Sequence, residues 1–126
     1  MEKIQTDNAP QAIGPYSQAI RSGNMIFISG QIGIDPKTGE FAGETVARQT
    51  EQALRNINAV LAAVPGLVKN IVKTTVYLTN MGDFTEMNTV YACHFSDSMN
   101  PARATVGVNA LPKSAKVEIE AIAIIE

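Results

Sequence analysis

The residue best suited to bind a small ligand is Arg103, which opens a predicted strand directly after Pro101-Ala102. Its neighbours on the same predicted strand face, Thr105 and Gly107, are small and leave room beside the guanidinium. A guanidinium in such a place can hold a carboxylate through two parallel hydrogen bonds. The spacing fits an ordinary arginine in a surface ion pair equally well, so the pattern alone leaves both interpretations open.

Two carboxylates form the second candidate group. Glu118 and Glu120 alternate with apolar residues in the last predicted strand and therefore share one of its faces. They are either a solvated surface, or one of them transfers protons in a cleft. Their spacing does not separate these alternatives.

The remaining reactive residue types give weak signals. His94, the only histidine, lies in the apolar stripe of a predicted helix and is expected to be a packed or rim residue. Cys93 beside it has no activating neighbour, so we expect filler rather than a nucleophile. One cysteine excludes an intrachain disulfide and a zinc site built from several cysteines. Phosphate-loop, dinucleotide, HExxH and serine-elbow motifs are also missing, and the sequence predicts neither metal nor cofactor.

Length and composition favour one domain over residues 1–126 in the cytoplasm. The chain has a net charge of −2 and 17% charged residues, without a polybasic run, which argues against nucleic acid or anionic membrane as a partner. The N-terminal segment lacks the pattern of a secretion signal. No apolar stretch reaches the roughly 18 residues of a membrane span.

Periodicity predicts two helices. The first covers about Thr45 to Val64, with an apolar stripe at spacings of three and four. Pro65-Gly66 should end it. The second opens at Asp83, where Glu86 three residues later resembles a capping box.

The predicted strands fill the rest of the chain. Short strands and turns precede Glu40, including Met25–Ile28, which is expected to be buried on both faces. A strand over 71–79 should place Val72, Thr74, Val76 and Leu78 on one face, and another covers 116–125.

The order of these elements predicts an α+β fold, a mixed sheet with two helices packed on one face. Aliphatic side chains should then also occupy the other face, those of Ile26, Ile28, Ile122 and Ile124. A partner copy is the simplest cover for that face.

Five separated segments resemble one family in the same order. They are 13–19 (IGPYSQA), 28–31 (ISGQ), 71–76 (IVKTTV), 100–103 (NPAR) and 117–123 (VEIEAIA). Together they resemble the Rid family of reactive-intermediate deaminases, and within it the RidA subgroup. The resemblance implies a chorismate-mutase-like fold, a homotrimer with active sites between subunits, and no cofactor. It also implies hydrolysis of 2-imino acids such as 2-iminobutanoate and 2-iminopropanoate to 2-oxo acids and ammonia.

The resemblance also assigns roles to residues of this chain. Arg103 would bind the substrate carboxylate, and Glu118 would position or activate water. The remaining pocket residues would be Tyr16, Ser29, Gly30, Asn88 and Thr105. Many members carry a cysteine where this chain has Thr105, which argues against thiol-based activity here.

Two other functions remain as alternatives. The same cleft could sense 2-oxo acids without turnover, for which Arg103 alone would suffice, whereas an intact Glu118 favours catalysis. The chain could instead act on RNA, since some family members are described as translation inhibitors or ribonucleases. The acidic net charge disfavours that function.

Overall fold

The computed structural model describes residues 1–66 and 69–126. Its helices are α1 (Val46–Ala62) and α2 (Phe84–His94), with short 3-10 turns at Met81–Asp83 and Pro112–Ser114. Its strands are β1 (Glu2–Ile4), β2 (Ala19–Ser22), β3 (Met25–Gln31), β4 (Ile34–Asp35), β5 (Glu40–Phe41), β6 (Lys69–Leu78), β7 (Ala102–Gly107) and β8 (Val117–Ile125).

Six of these strands form one mixed sheet in the order β1-β2-β3-β8-β6-β7. Every neighbouring pair is antiparallel except β6 and β7, which run parallel and are connected through α2. Both helices pack on one face of the sheet, here called the helix face, and bury the core there. The predicted α+β arrangement is confirmed. None of the helices in the described ranges is long and apolar enough to cross a membrane.

Helix α1 agrees closely with the prediction. The Thr45 side chain caps it by accepting a hydrogen bond from the Arg48 amide at 3.2 Å. The apolar stripe is buried, and the helix ends shortly before Pro65-Gly66. A strong capping residue and an uninterrupted period of three and four specify this helix locally.

The start of α2 differs from the predicted capping box. Asp83 precedes the helix, but its side chain makes no capping hydrogen bond, and its backbone is already helical (φ −83°, ψ −1°). An N-cap side chain reaches the free amides only from an extended backbone. Asn80 has that backbone and accepts from the Gly82 amide at 2.9 Å, so it begins the preceding 3-10 turn instead.

Strand β3 is buried on one face, not on both as predicted. Ile26 and Ile28 lie opposite Ala123 and Ala121 of β8 and point into the core, so their expected position on the second face was wrong. Phe27 alternates with them and points away from the helices. A run of four apolar residues hides this alternation, because the sequence does not reveal which members face the helices.

Strand β6 contains an irregularity that the period-2 pattern missed. Thr74, Val76 and Leu78 are buried as predicted, but Val72 is 37% exposed. The register against β8 shifts between Ile71 and Lys73, which inserts one extra residue. A β-bulge of this kind turns a side chain out of the alternation.

The face of the sheet opposite the helices, here called the outer face, is apolar near its centre. Phe27 is 42% exposed and Val106 40% exposed, and Ile122 and Ile124 are half-buried on the same face, as predicted for these two isoleucines. No element within residues 1–66 and 69–126 covers these side chains. An uncovered apolar face of this kind marks an interaction surface.

Candidate functional site

Arg103 lies on β7, the edge strand of the sheet, and points to the helix face beside α2. Its register partner on β6 is Thr74, whose side chain is fully buried under the helices. The guanidinium Nη1 donates to Asn88 Oδ1 at 2.7 Å. Its carbon lies 4.6 Å from the centroid of the Tyr91 ring and 5.7 Å from that of Phe84. One amide and two aromatic rings of α2 therefore fix the orientation of this cation.

A buried threonine of β6, Thr74, in turn holds the Tyr91 ring in place. The Tyr91 hydroxyl and Thr74 Oγ1 are 2.7 Å apart in the core. Burial raises the pKa of Tyr91, and the Thr74 hydrogen bond and the Arg103 charge offset part of this rise. The sequence analysis did not identify Phe84 and Tyr91, the two aromatic residues that contact Arg103. The available signal was helical spacing, since Phe84 and Tyr91 lie four before and three after Asn88 on one face of α2.

Arg103 forms no ion pair with any residue of the ranges 1–66 and 69–126. The salt bridge found within the described ranges joins Arg55 and Glu51 on the exposed side of α1, at 2.8 Å. Asn88 occupies one of the five N–H donors of the guanidinium. The others remain available to a ligand, which favours the carboxylate-binding interpretation over the surface ion pair.

Thr105 follows on the same strand face. Its hydroxyl is buried and has no hydrogen-bond partner among the residues that the structure describes. An unpaired buried hydroxyl costs about 1–3 kcal/mol of stability.

We expect Thr105→Val to raise the free energy of unfolding by about 1 kcal/mol, because valine keeps the shape and removes the unpaired group. Thr74→Val is the matched control with the opposite sign, since it deprives the buried Tyr91 hydroxyl of its partner. Urea denaturation of both variants at one protein concentration measures the difference. A loss of stability from Thr105→Val would show that its hydroxyl is satisfied in solution.

Glu118 occupies the other face of the sheet. Its register partner on β6 is Tyr77, and both are half-buried on the outer face. Burial, and secondarily the charge of Glu120, raises the pKa of the Glu118 carboxyl. Gly30 on β3 makes room for it, because a Cβ there would lie 2.9 Å from the Glu118 Cδ. Any larger residue at position 30 would therefore displace this carboxylate.

The remaining predicted pocket residues surround Gly30. A cleft of about 360 Å³ is lined by Gly30, Glu118 and Glu120 among others. An adjoining cleft of about 510 Å³ shares Gly30 and extends to Tyr16, which is 54% exposed in its loop. Ser29 donates its hydroxyl hydrogen to Ser17 O at 2.6 Å, which fixes the loop before β2 against β3.

The predicted site residues thus form two groups in one chain. Arg103, Asn88 and Thr105 lie at the β7 edge toward α2, whereas Glu118 and Gly30 lie on the outer face. Register partners on neighbouring strands share a face, and the partners of Arg103 and Glu118, Thr74 and Tyr77, alternate to opposite faces of β6. A single chain therefore does not bring the guanidinium and the carboxylate into one cleft.

His94 and Cys93 lie outside both groups. His94 is half-buried, bonds Asn58 at 3.3 Å and packs edge-on against Phe95, and burial lowers its pKa. The prediction of a packed or rim histidine is confirmed. Cys93 is exposed, so its expected role as filler was wrong. No group of three or more His, Cys, Asp or Glu side chains suited to a metal occurs within the described ranges.

The fold and the two residue groups define a mixed α+β protein with an arginine oriented by Asn88 and Tyr91 and a separate half-buried carboxylate. Comparison with known proteins agrees with this class. Residues 6–125 match the model of the family described as Endoribonuclease L-PSP. A RutC family protein of Pyrococcus horikoshii is 54% identical over 122 residues, with 97% of this chain and 96% of that protein covered.

Two further relatives carry more specific names. The human 2-iminobutanoate/2-iminopropanoate deaminase is 47% identical over 121 residues, covering 96% of this chain and 88% of that protein. The crystal structure of Escherichia coli TdcF with bound serine superposes with a TM-score of 0.94 at 41% identity, with both chains fully covered. The chain belongs to the Rid family of reactive-intermediate deaminases.

Proposed function

We propose that this protein is a hydrolytic deaminase of small 2-imino acids, such as 2-iminobutanoate and 2-iminopropanoate, with 2-oxo acids and ammonia as products. The observation that carries the proposal is the Arg103 guanidinium, which Asn88 and Tyr91 orient while most of its donors stay free. A planar carboxylate is the ligand that such a fork binds best. The named activity of the human relative supports the same chemistry.

The reaction needs little beyond orientation and a proton carrier. Arg103 would hold the substrate carboxylate, with Asn88, Thr105 and the loop residues Tyr16 and Ser29 as lining. Water would add through its oxygen to the imine carbon while a carboxylate takes up its proton. That proton would pass to the nitrogen, which gives a carbinolamine. The carboxylate would then carry the hydroxyl proton of the carbinolamine to the same nitrogen, the carbon–nitrogen bond would break, and ammonia would leave as the carbonyl forms.

Glu118 is the group that we assign to this proton transfer. A carboxyl whose pKa lies above its ordinary range, as burial and Glu120 make it, exchanges protons more readily near neutral pH. The Gly30 amide lies beside it on the neighbouring strand. The imine carbon is already electrophilic, so the proposed mechanism uses no covalent nucleophile and no cofactor.

We propose further that the protein is a homotrimer with sites between subunits. The two residue groups lie on opposite faces of one sheet, so a second copy must complete each site. The outer face, with Phe27 and Ile122 partly exposed, supplies an apolar surface for that copy. Leaving large side chains in water costs roughly 1.5–3 kcal/mol each.

Light scattering coupled to gel filtration tests the assembly. We expect three times the 13.5 kDa mass of the chain at micromolar concentration. Phe27→Glu should lower this mass, because a carboxylate in the centre of an apolar interface is desolvated without a partner. Glu2→Gln on β1 is an unaffected control. A stable monomer that still hydrolyses imines would contradict the proposed intersubunit site.

A coupled assay tests the activity. An amino-acid oxidase would generate 2-imino acids in situ, and semicarbazide would trap those that survive. We expect the protein to accelerate imine loss and 2-oxo acid formation. Unchanged imine lifetimes with every amino acid supplied would contradict the proposal and favour a 2-oxo-acid-binding protein without turnover.

Ribonuclease activity is the alternative suggested by the family description. The net charge of −2 provides no general attraction for phosphates. The one histidine packs against Phe95 and belongs to neither residue group. We therefore expect no RNA cleavage.

We also propose a location in the cytoplasm. The exposed free thiol of Cys93 supports this location, because a free thiol suits a reducing compartment.

A further inference from the structure

A second carboxylate and a phenol lie next to Glu118 on the outer face. Tyr77 on β6 lies directly opposite Glu118 on β8, and its hydroxyl donates a hydrogen bond diagonally to Glu120 Oε1. Glu118 and Glu120 are two residues apart on one strand face, which separates them by about 7 Å along the strand. The phenol therefore fixes the position of one carboxylate relative to the other.

Among the residues that the structure describes, the Glu120 carboxylate has a neutral hydrogen-bond partner and no cationic one. Its ordered donor is the Tyr77 hydroxyl, and no salt bridge to Glu120 occurs in the ranges 1–66 and 69–126. Lys73 lines the same side of the sheet, but its ammonium group donates to Thr74 O at 3.2 Å and to Thr75 Oγ1 at 3.3 Å. A carboxylate that is hydrogen-bonded but not neutralised keeps its field on nearby groups.

We propose that Glu120, held in place by Tyr77, is a positioning residue. Its negative charge acts on Glu118 and so sets the pH range of catalysis. The inference rests on the proposed function, in which Glu118 must lose its proton to accept one from water. Like charges on one strand face disfavour simultaneous ionisation. Removing the charge of Glu120 should therefore let Glu118 ionise at lower pH.

Within one chain, few charged groups surround Glu118 among the described residues. In the proposed assembly Arg103 of a second copy would face it as well, equally in the wild type and in Glu120→Gln. On β8 the nearest titratable group is Glu120, and on β6 it is Tyr77. On β3 its neighbour is Gly30, which carries no side chain, and the segment before β8 contributes Ala110, Leu111 and Pro112 to the cleft. Lys113 of that segment is a cation that lines the adjoining cleft, which shares Gly30. The hydrogen bond to Glu120 is also the main cause, ahead of burial, of the raised pKa of the Tyr77 phenol.

The test compares Glu120→Gln with Glu2→Gln, a matched change of charge on the far strand β1. We expect the acid limb of the kcat/KM profile for imine hydrolysis to move to lower pH in Glu120→Gln, with KM for the imine unchanged. Glu2→Gln should leave the profile in place. Tyr77→Phe should give a smaller shift in the same direction, because the unheld carboxylate can turn toward solvent.

Two titrations on the intact protein measure the same coupling without activity. Carbon NMR of the Glu118 carboxyl should show a lower midpoint in Glu120→Gln, and the ultraviolet titration of Tyr77 should move down as well. An unchanged or higher Glu118 midpoint would overturn the inference. If the wild-type protein hydrolyses no imine, the proposed function fails, and the NMR midpoint still decides whether Glu120 acts on Glu118.

Discussion

Arg103→Ala is expected to lower kcat/KM for imine hydrolysis by about 30- to several-thousand-fold, the range for removing one partner of a buried charge pair, about 2–5 kcal/mol. The loss should be largest at low substrate concentration, because Arg103 is the proposed anchor of the carboxylate. Steady-state imine decay measures it, and calorimetry with a 2-oxo acid measures the accompanying loss of binding.

The same change should lower the stability of the fold by a modest amount. The guanidinium packs on Tyr91 and bonds Asn88, so about 1–2 kcal/mol of stability should be lost. Arg103→Lys is the control for charge, and we expect poor rescue because an ammonium cannot form the two-pronged contact. A folded Arg103→Ala protein with wild-type turnover would remove Arg103 from the mechanism.

Glu118→Gln is expected to lower kcat by about 100- to 10,000-fold, the usual contribution of a positioned acid–base group. Binding of 2-oxo acids should persist, since Arg103 is untouched. Single-turnover hydrolysis and calorimetry on the same preparation separate the two effects.

Glu120, the neighbour of Glu118 on the same strand face, is not a suitable control position for Glu118→Gln. Glu120 bonds Tyr77 and raises the pKa of Glu118, so it is not an inert glutamate. Glu2→Gln on the far edge of the sheet is the appropriate comparison and should retain full activity. Equal turnover in Glu118→Gln and wild type would assign proton transfer to another group.

The sequence predicts well where local chemistry determines the structure. Helix α1 is specified without tertiary information. Thr45 determines where it starts, the apolar stripe from Val46 to Val64 determines its buried face, and Pro65-Gly66 determines where it ends. The turn at 35–39, one of the turns predicted before Glu40, is equally local: the Gly39 amide donates to Asp35 O at 2.8 Å, and Gly39 has φ of +76°.

The errors arise where tertiary packing decides. Alternation shows that a strand has two faces, but only the pairing with β8 shows that Ile26 and Ile28 face the helices. The bulge that exposes Val72 is a register shift between two distant strands. Asn80 rather than Asp83 provides the capping side chain, because the 3-10 turn before α2 leaves Asp83 without an extended backbone.

The candidate site was predictable as residue types but not as geometry. Spacing and family resemblance pointed to Arg103 and Glu118, yet neither reveals that these side chains lie on opposite faces of the sheet. The support of Arg103 by Tyr91 and Thr74 joins a helix to a strand through the core. Such contacts depend on how α2 packs on β6 and β7.

Arg103 of one subunit and Glu118 of another are proposed to form one imine-hydrolysing site, and mixing two inactive variants is the sharpest test of this pairing. Arg103→Ala and Glu118→Gln chains would be co-expressed with different tags, and assemblies that carry both would be purified. In a purified mixed trimer, whichever variant supplies two of the chains, one of the three interfaces joins an intact Arg103 to an intact Glu118, so about a third of all sites should be intact. We predict recovery of activity near that fraction, with none in either variant alone. Mixed assemblies that stay inactive would contradict a site shared between subunits.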